Sequence, residues 1–580
     1  MKASDYLAEQ LQSAGVTHVF GVQGGSVVHV FDSLEATGIQ VHYCVSEYFA
    51  AFAAVAQSRA TGNLGCCVVT TGPAGTNALT GLLSAWQDSV PVVFISGQTR
   101  SGHMSYGSNV RQIGSQESPI CEVVRPITKC AITVSVASDL PSSLASIIQQ
   151  ACDGRPGPTW LDIPVDVQWG VVDESVNPTS VLIGSRETNS ESTQAAVQII
   201  SELVQAERPL VWVGAGVRRA NAVDEFRAFV EGADLPFVTT WQTKNLLGAG
   251  HRLDLGVIGP FGQAGANAAT YDCDLILGLS THFSVNQTTS NSQSFTPQAR
   301  KIVVNIDAHE LSGLQVLAEV QLKCEVKEVL TQLVDALPAD IKSFSETSRA
   351  EFQIRNQAAD AMTRLSTQAL PLINSNVFLR DVFEGVEGSY EVVIDGGGTA
   401  LYAGFQACYK GELAGIHCST AVSAMGTAFA ETGGLATVSV ADHLFAIIGD
   451  GSFWMSLSDL PPLGQLERAV TVIVINNDGY LAIRHTQQEF LGARFYGTDS
   501  AGRLNFPDIG PIVSGMGGEH MLVTAANAQL AVALAQKKRS RGLLVLEVKT
   551  PKDQALLFRQ IFADNGDGTK SPLPLSEMAT

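Results

Sequence analysis

Ala446-Ile447-Ile448-Gly449-Asp450-Gly451-Ser452 is an apolar run that breaks into a glycine-flanked carboxylate, and Val472-Ile473-Val474-Ile475-Asn476-Asn477-Asp478-Gly479-Tyr480 repeats the pattern with amides. The two turns stand about 25 residues apart, about the length of one strand–helix unit. Each run reads as a buried strand of a parallel sheet that ends in a polar turn. Asp450 and Asn477 then sit side by side at the carboxyl ends of adjacent strands, where open α/β sheets bind ligands. A carboxylate, an amide oxygen and a nearby backbone carbonyl are hard oxygen ligands. They suit Mg²⁺, which completes its shell with phosphate oxygens and water. Gly449 and Gly451 allow a diphosphate to approach the backbone closely.

The same alternation of short apolar runs and helical segments extends outward in both directions. Glu391–Asp395 and Leu543–Val548 complete a third strand-rich region. Leu210–Val213, Asp274–Leu279 and Ile302–Ile306 form a second, and Thr17–Gly21, Cys66–Thr71 and Val92–Ser96 a first, with helices at Tyr48–Ala60 and Asn77–Ser84. At 580 residues the chain is too long for one core, since single domains stop growing near ~250–300 residues. The expected architecture is α/β, with three doubly wound parallel-sheet domains. Their expected limits are 1–175, 190–340 and 372–555, followed by a C-terminal tail, 556–580, that reads as irregular. Polar stretches at Val172–Gln198 and Pro338–Asn374 read as linkers, the second largely helical in pattern up to Leu370-Pro371-Leu372.

Composition narrows the function classes. A formal net charge of −20 argues against a nucleic-acid partner, because phosphate backbones need a basic footprint. No apolar stretch approaches the ~20 residues of a membrane span. The N-terminus carries Asp5 and Glu9 in place of a basic start and apolar run, so no secretory signal is read there. Ten cysteines include no Cys-x-x-Cys, and the histidines lack metal-ligand spacing. Reduced thiols in a cytoplasmic protein account for them most simply.

Gly-Asp-Gly followed downstream by Asn-Asn resembles the cofactor motif of the thiamine-diphosphate-dependent enzymes. The resemblance implies that Asp450, Asn477 and the carbonyl of Gly479 hold the Mg²⁺ that anchors the diphosphate. It adds Gly398, Thr399, Gly449, Gly451, Ser452 and Tyr480 around the cofactor in this region, and Gly72 and Asn77 in the first. It also implies one glutamate on a helix of the first domain. Ser46-Glu47-Tyr48-Phe49-Ala50-Ala51 supplies it: Glu47 is the one carboxylate at the start of an Ala-rich helix that must be largely buried. A carboxyl kept protonated by apolar surroundings can hydrogen-bond the cofactor's pyrimidine ring and favour its imino tautomer. Glu47 thus tunes the cofactor, which carries the hard chemistry. In the family these two residue sets come from different subunits, which implies a homodimer or homotetramer with active sites at the interface. Ser423-Ala424-Met425-Gly426 would supply, through Met425, the bulky wedge between the cofactor's two rings.

Within that family the chain is similar to the acetolactate synthase branch. Phe20-Gly21-Val22-Gln23-Gly24-Gly25, Gly72-Pro73-Ala74-Gly75-Thr76-Asn77 and Pro91-Val92-Val93-Phe94-Ile95-Ser96-Gly97-Gln98 follow its pattern. Gln116-Glu117 matches a pair that lines its substrate pocket, so Gln116 and Gly25 are the expected substrate-facing residues beside Glu47. Two departures bear on chemistry. No His-His pair is present to protonate the donor fragment, which favours attack on a second carbonyl over simple decarboxylation. Ser280-Thr281-His282-Phe283-Ser284 replaces the branch's Arg- and Asp-rich flavin stretch, so FAD is allowed by Gly214-Ala215-Gly216 but not favoured. Residues after the metal turn differ as well, and Arg484 and His485 there are candidates to meet a substrate carboxylate or phosphate. The implied activity is decarboxylation of a 2-keto acid, pyruvate first among them, with transfer of the two-carbon unit to a ketone or 2-keto acid. A plain decarboxylase or another lyase of the family is the alternative enzyme, and a cofactor-binding regulatory paralogue the non-enzyme alternative.

Overall fold

The computed structural model describes residues 1–106, 108–173, 190–289, 295–314, 316–367, 372–556, 559–567 and 569–579. Most of the Val172–Gln198 linker expectation and the Leu370-Pro371 pair lie outside these residues.

Three six-stranded sheets carry the fold. The first contains β1 (His18–Gly21), β2 (Gln40–Tyr43), β3 (Gly65–Val69), β4 (Val92–Gln98), β5 (Cys130–Thr133) and β6 (Thr159–Pro164), in the order β2-β1-β3-β4-β6-β5 with parallel pairing. The second contains β7 (Pro209–Val213), β8 (Phe237–Thr239), β9 (Asp254–Val257), β10 (Leu275–Leu279), β11 (Arg300–Asn305) and β12 (Val320–Lys323), in the order β12-β11-β10-β7-β8-β9. Counted from its own first strand, this is the 3-2-1-4-5-6 order reversed, the order of dinucleotide-binding sheets. The third contains β13 (Ser389–Ile394), β14 (Glu412–His417), β15 (His443–Gly449), β16 (Ala469–Asn476), β17 (Glu519–Val523) and β18 (Gly542–Lys549), in the order β14-β13-β15-β16-β18-β17. That order repeats the first sheet's strand for strand. Central strands such as β3, β4, β15 and β16 are buried almost throughout. This is why they read as unbroken apolar runs rather than alternating ones.

The chain folds as two compact units. One comprises residues Met1–Ser185, His417–Val440 and Ser452–Glu467, and the other Arg186–Ile416, Ala441–Gly451 and Arg468–Thr580. In the first unit the Ala-rich helix Glu47–Thr61 is buried from Phe49 to Ser58. Small residues make that possible. A side chain at Gly81 would meet Ala51, one at Gly433 the Phe49 ring, and one at Gly434 the Ala53 carbonyl at 2.1 Å. The helix is thus pressed between Leu79–Gln87 and Ala428–Ala436. At its C-terminal end Arg59 is enclosed with Asp88 at 3.2 Å and Glu431 at 2.8 Å, and it also donates to Ser419. A cation so enclosed requires partners of this kind, because an unpaired buried charge is expensive.

Several sequence expectations are corrected. The helix expected over Asn77–Ser84 is two helices, Pro73–Asn77 and Leu79–Gln87. The first linker ends early, because an amphipathic helix, Ser190–Gln205, begins inside it and buries Ala195, Ala196, Ile199 and Leu203. The tail is not wholly irregular. Arg559–Gln560 pairs with Met578–Ala579, and Phe562–Asp564 with Lys570–Pro572, both antiparallel. The second linker does carry the expected helix, Glu346–Thr367. Among the described residues no helix is long and apolar enough to cross a membrane.

Candidate functional site

β15 and β16 are adjacent and parallel, with Gly449 opposite Ile475. Their carboxyl ends therefore place Asp450 and Asn477 next to one another, as the spacing of the two runs requires. Asp450 is buried, and its two oxygens accept the backbone N–H groups of Gly451 and Gly479, each at 2.9 Å. Burial pushes its carboxyl up to about 7, against the pull of those two N–H groups. A bound cation would reverse that shift, since an adjacent positive charge favours the ionised form.

Asn477 is also buried. Its Nδ2 donates to Thr399 Oγ1 at 3.3 Å, while its Oδ1 has no partner among the described residues. A buried amide oxygen left unpaired costs about 1–3 kcal/mol. With Asp450 beside it, this atom fits a hard cation. Among the described residues no group of three His, Cys, Asp or Glu side chains could hold a metal, so a cation here needs an amide, backbone and phosphate oxygens.

The turn after Asn477 has a shape only glycine permits. Gly479 adopts φ +137°, and a side chain there would lie 1.8 Å from the Thr498 carbonyl, which also accepts the Tyr480 N–H at 2.8 Å. Asp478, at φ +60°, is ion-paired to Lys552. Gly449 and Gly398 have open space where a side chain would stand, and Gly398 has φ +66°. Gly451 differs: its α-carbon faces the Tyr480 ring, 2.3 Å from where a side chain would begin. Thr399 opens the helix Gly398–Gln406 that follows β13, and it is buried.

In the other unit Ser46 caps the Glu47 helix, accepting the Phe49 N–H at 3.0 Å and donating to Asp459 at 3.1 Å. Glu47 is half-buried rather than enclosed, and it is not alone, because Asn77 Nδ2 donates to its Oε2 at 3.0 Å. The expectation of a lone buried carboxylate is corrected to this extent, since the helix is buried but its first residue stands at the open tip. Tyr48, the next residue, donates to the Met425 carbonyl at 3.2 Å. Met425 is half-buried, just ahead of the Ala428–Ala436 helix, with Ser423 and Gly426 at positive φ. The Ser452 hydroxyl is buried with no partner among the described residues.

Gln116 is exposed at φ +57°, and its backbone carbonyl lies 2.4 Å from where a Gly72 side chain would begin. Gly25 is exposed, with open space about it. Sequence reasoning missed what holds this loop. Gln98 Nε2 donates to the Ser118 carbonyl and to the buried carboxylate of Asp162, and Thr71 Oγ1 donates to Gln98 Oε1 and to the Gln116 carbonyl. Glu117 ties the loop from its other side. Burial pushes its carboxyl up, but N–H groups of Ile113, Ser105 and Gly114 outweigh that and hold it low. An isolated Asp inside a strand as apolar as Trp160-Leu161-Asp162-Ile163 was the signal available.

Two candidates are spent elsewhere. Arg484 is ion-paired to Asp499 at 2.7 Å, and His485 hydrogen-bonds the Gln554 carbonyl. Each therefore has a partner within the chain in this arrangement. In the second sheet, side chains at Gly214 and Gly216 would run into Ser280, at 2.1 Å from its oxygen and 2.4 Å from its Cβ. Phe283 packs edge-on against Trp212 in the core. Ser280 thus occupies the space beside both glycines, which does not favour FAD there.

The chain matches the description "Thiamine pyrophosphate enzyme, N-terminal TPP binding domain" over residues 1–118, the central domain of the same family over 194–333, and its C-terminal TPP binding domain over 397–548. It is 28% identical to the acetolactate synthase isozyme 2 large subunit of Escherichia coli, across 94% of this chain and 95% of that protein. It is 27% identical to the acetolactate synthase large subunit of Corynebacterium glutamicum, across 94% and 86%, and 29% to the acetolactate synthase of Arthrospira platensis, across 94% of each. Three domain matches in the family's order, on three α/β sheets, with relatives aligned from end to end, place this chain in the thiamine pyrophosphate enzyme family, in its acetolactate synthase-like branch.

Proposed function

We propose that the chain is a thiamine-diphosphate- and Mg²⁺-dependent carboligase. It decarboxylates a 2-keto acid, pyruvate first among them, and transfers the two-carbon unit to a ketone or 2-keto acid. The observation that carries this reading is the buried, unpartnered Oδ1 of Asn477 beside the Asp450 carboxylate at the end of the third sheet. When bound, the cofactor supplies the electron sink that lets a 2-keto acid lose carbon dioxide.

The remaining roles belong to the chain's own residues. Asp450, Asn477 and the Gly479 carbonyl hold the metal. Gly398, Thr399, Gly449, Gly451, Ser452 and Tyr480 line the diphosphate side, and Gly72 and Asn77 the pyrimidine side. Glu47 meets the pyrimidine ring, and Asn77 keeps its carboxyl oriented. Ser423 and Met425 support the cofactor between its rings. Gln116 and Gly25 face the substrate. The reading does not call on a flavin, and Ser280 packed against Gly214 and Gly216 supports leaving it out.

The domain limits 1–175, 190–340 and 372–555 are the working units of this enzyme. A homodimer or homotetramer completes each site, and half-burial of Glu47 supports this, since a second chain would supply its missing wall. A cytoplasmic setting fits ten cysteines of which none forms a disulfide. Product analysis by mass spectrometry after incubation with pyruvate, cofactor, Mg²⁺ and ketone acceptors tests the reading. An acyloin supports it, and free acetaldehyde alone points to the plain decarboxylase.

A further inference from the structure

The unit that carries the second and third sheets contains a crevice of about 220 Å³ away from the cofactor residues. Arg218 reaches it from the helix Gly216–Arg219, Arg227 from the helix Val223–Gly232, and Lys244 and Asn245 from the turn after Thr239. The edge strand β14 forms the opposite wall, from Leu413 to Ile416. Three cations and no carboxylate line it, on a chain whose net charge is −20.

Acidic groups lie near these cations, but outside the lining. Glu231 is 3.6 Å from Arg227, one helical turn on, and both are well exposed, so that pair is weak. Lys244 is buried, donates to Gln263 at 3.3 Å, and acts electrostatically on the half-buried Asp254. Arg218 is open to solvent yet hemmed in by protein. Burial lowers its pKa, and the attraction of Glu391 only partly offsets this. Concave walls of low dielectric focus the field of such a set. Two guanidinium forks and an ammonium lining one crevice match the oxygens of phosphoryl groups better than a single carboxylate.

We propose that this crevice binds a small molecule through a diphosphate or a pair of phosphoryl groups, at a site separate from the cofactor's. Roughly three positive charges face a group of about the same negative charge. The volume is that of about seven liquid waters, enough for a diphosphate head with the rest of a ligand outside the mouth. The crevice is also connected to the cofactor side. Lys244 lies three residues from Trp241, whose ring stacks on Phe405 at 5.4 Å, in the helix that contains Thr399.

The test is calorimetric titration of the holoenzyme, saturated with thiamine diphosphate and Mg²⁺, with inorganic pyrophosphate and separately with uridine 5′-diphosphate, at constant free Mg²⁺ and ionic strength. One pyrophosphate per chain is expected beyond the cofactor. In the Arg218→Ala/Arg227→Ala double variant, and again in Arg218→Glu, its affinity should fall at least ~10-fold, as loss of charge-assisted contacts requires, with cofactor affinity and melting temperature kept. Tighter binding of uridine diphosphate would assign the site to an organic diphosphate, and equal binding to the inorganic head alone. No uptake by the wild type, or uptake unchanged in both variants, would overturn the proposal.

Discussion

Asn477 donates its side-chain N–H to Thr399 Oγ1 at 3.3 Å, and its Oδ1 is left buried with no donor among the described residues. Thr399 thus orients an oxygen that no other described residue satisfies. Removing that oxygen in Asn477→Ala should weaken Mg²⁺-dependent cofactor binding by on the order of 10–100-fold. Tryptophan fluorescence during cofactor titration would measure it. Thr399→Val should give a smaller loss in the same direction, and unchanged affinity in Asn477→Ala would remove the residue from the metal site.

Gly479 should tolerate no side chain. Gly479→Ala would force a left-handed turn onto an L-residue and place a methyl 1.8 Å from the Thr498 carbonyl. Strain of that kind costs about 1–3 kcal/mol before any displacement of the 478–480 turn. Thermal unfolding should show the loss, and cofactor affinity should fall with it. Gly25→Ala, with open space around it, should leave the melting temperature unchanged.

Glu47→Gln keeps an oxygen to accept the Asn77 bond and removes the acid. Turnover should drop by on the order of 10²–10⁴-fold, the usual weight of an acid–base group, with circular dichroism and cofactor affinity little changed. Asn77→Ala should lower turnover less than Glu47→Gln does. Near-normal rates in Glu47→Gln would refute its role.

Asp162 offers a pH-dependent test of the loop that carries Gln116. Burial raises its carboxyl to about 7, against donated hydrogen bonds from Ser96, Gln98 and Thr133. The folded chain therefore holds this proton up to about pH 7, whereas the unfolded chain releases it near the ordinary value of 3.8. Between those limits the native state binds more protons, so this group's contribution to stability falls as pH rises. Asp162→Asn should remove that slope, an effect of up to a few kcal/mol across the window. Urea unfolding of both proteins across that pH range would reveal it, and parallel stability curves would contradict the assignment. Gln98→Ala, which frees Thr71 and Ser118 together, should raise the KM for the 2-keto acid more than it lowers kcat.

What could be read in the sequence followed burial. Strands β15 and β16 announced themselves because both faces are covered and every position is apolar. Their turns announced the site because Asp450 and Asn477 interrupt such runs. Edge strands were illegible: β2 and β14 are half-exposed and mix polar with apolar residues, and nothing in Gln40–Tyr43 distinguishes it from a loop. The short helix Pro73–Asn77 escaped notice because Gly75, Thr76 and Asn77 are weak helix formers. Arg484 looked available because its partner Asp499 lies fifteen residues away, across a loop that periodicity cannot place. The buried Asp162–Gln98–Thr71 chain joins residues far apart in sequence, and only tertiary packing brings it together.

The most direct test of the central claim is mass-spectrometric analysis of products from ¹³C-labelled pyruvate, with purified protein, thiamine diphosphate, Mg²⁺ and a panel of ketone and 2-keto acid acceptors, with Asn477→Ala as control. Labelled carbon dioxide is expected together with an acyloin that carries one added acetyl unit, both sharply reduced in the control at limiting cofactor. Labelled acetaldehyde without any acyloin, or equal product from Asn477→Ala, would contradict it.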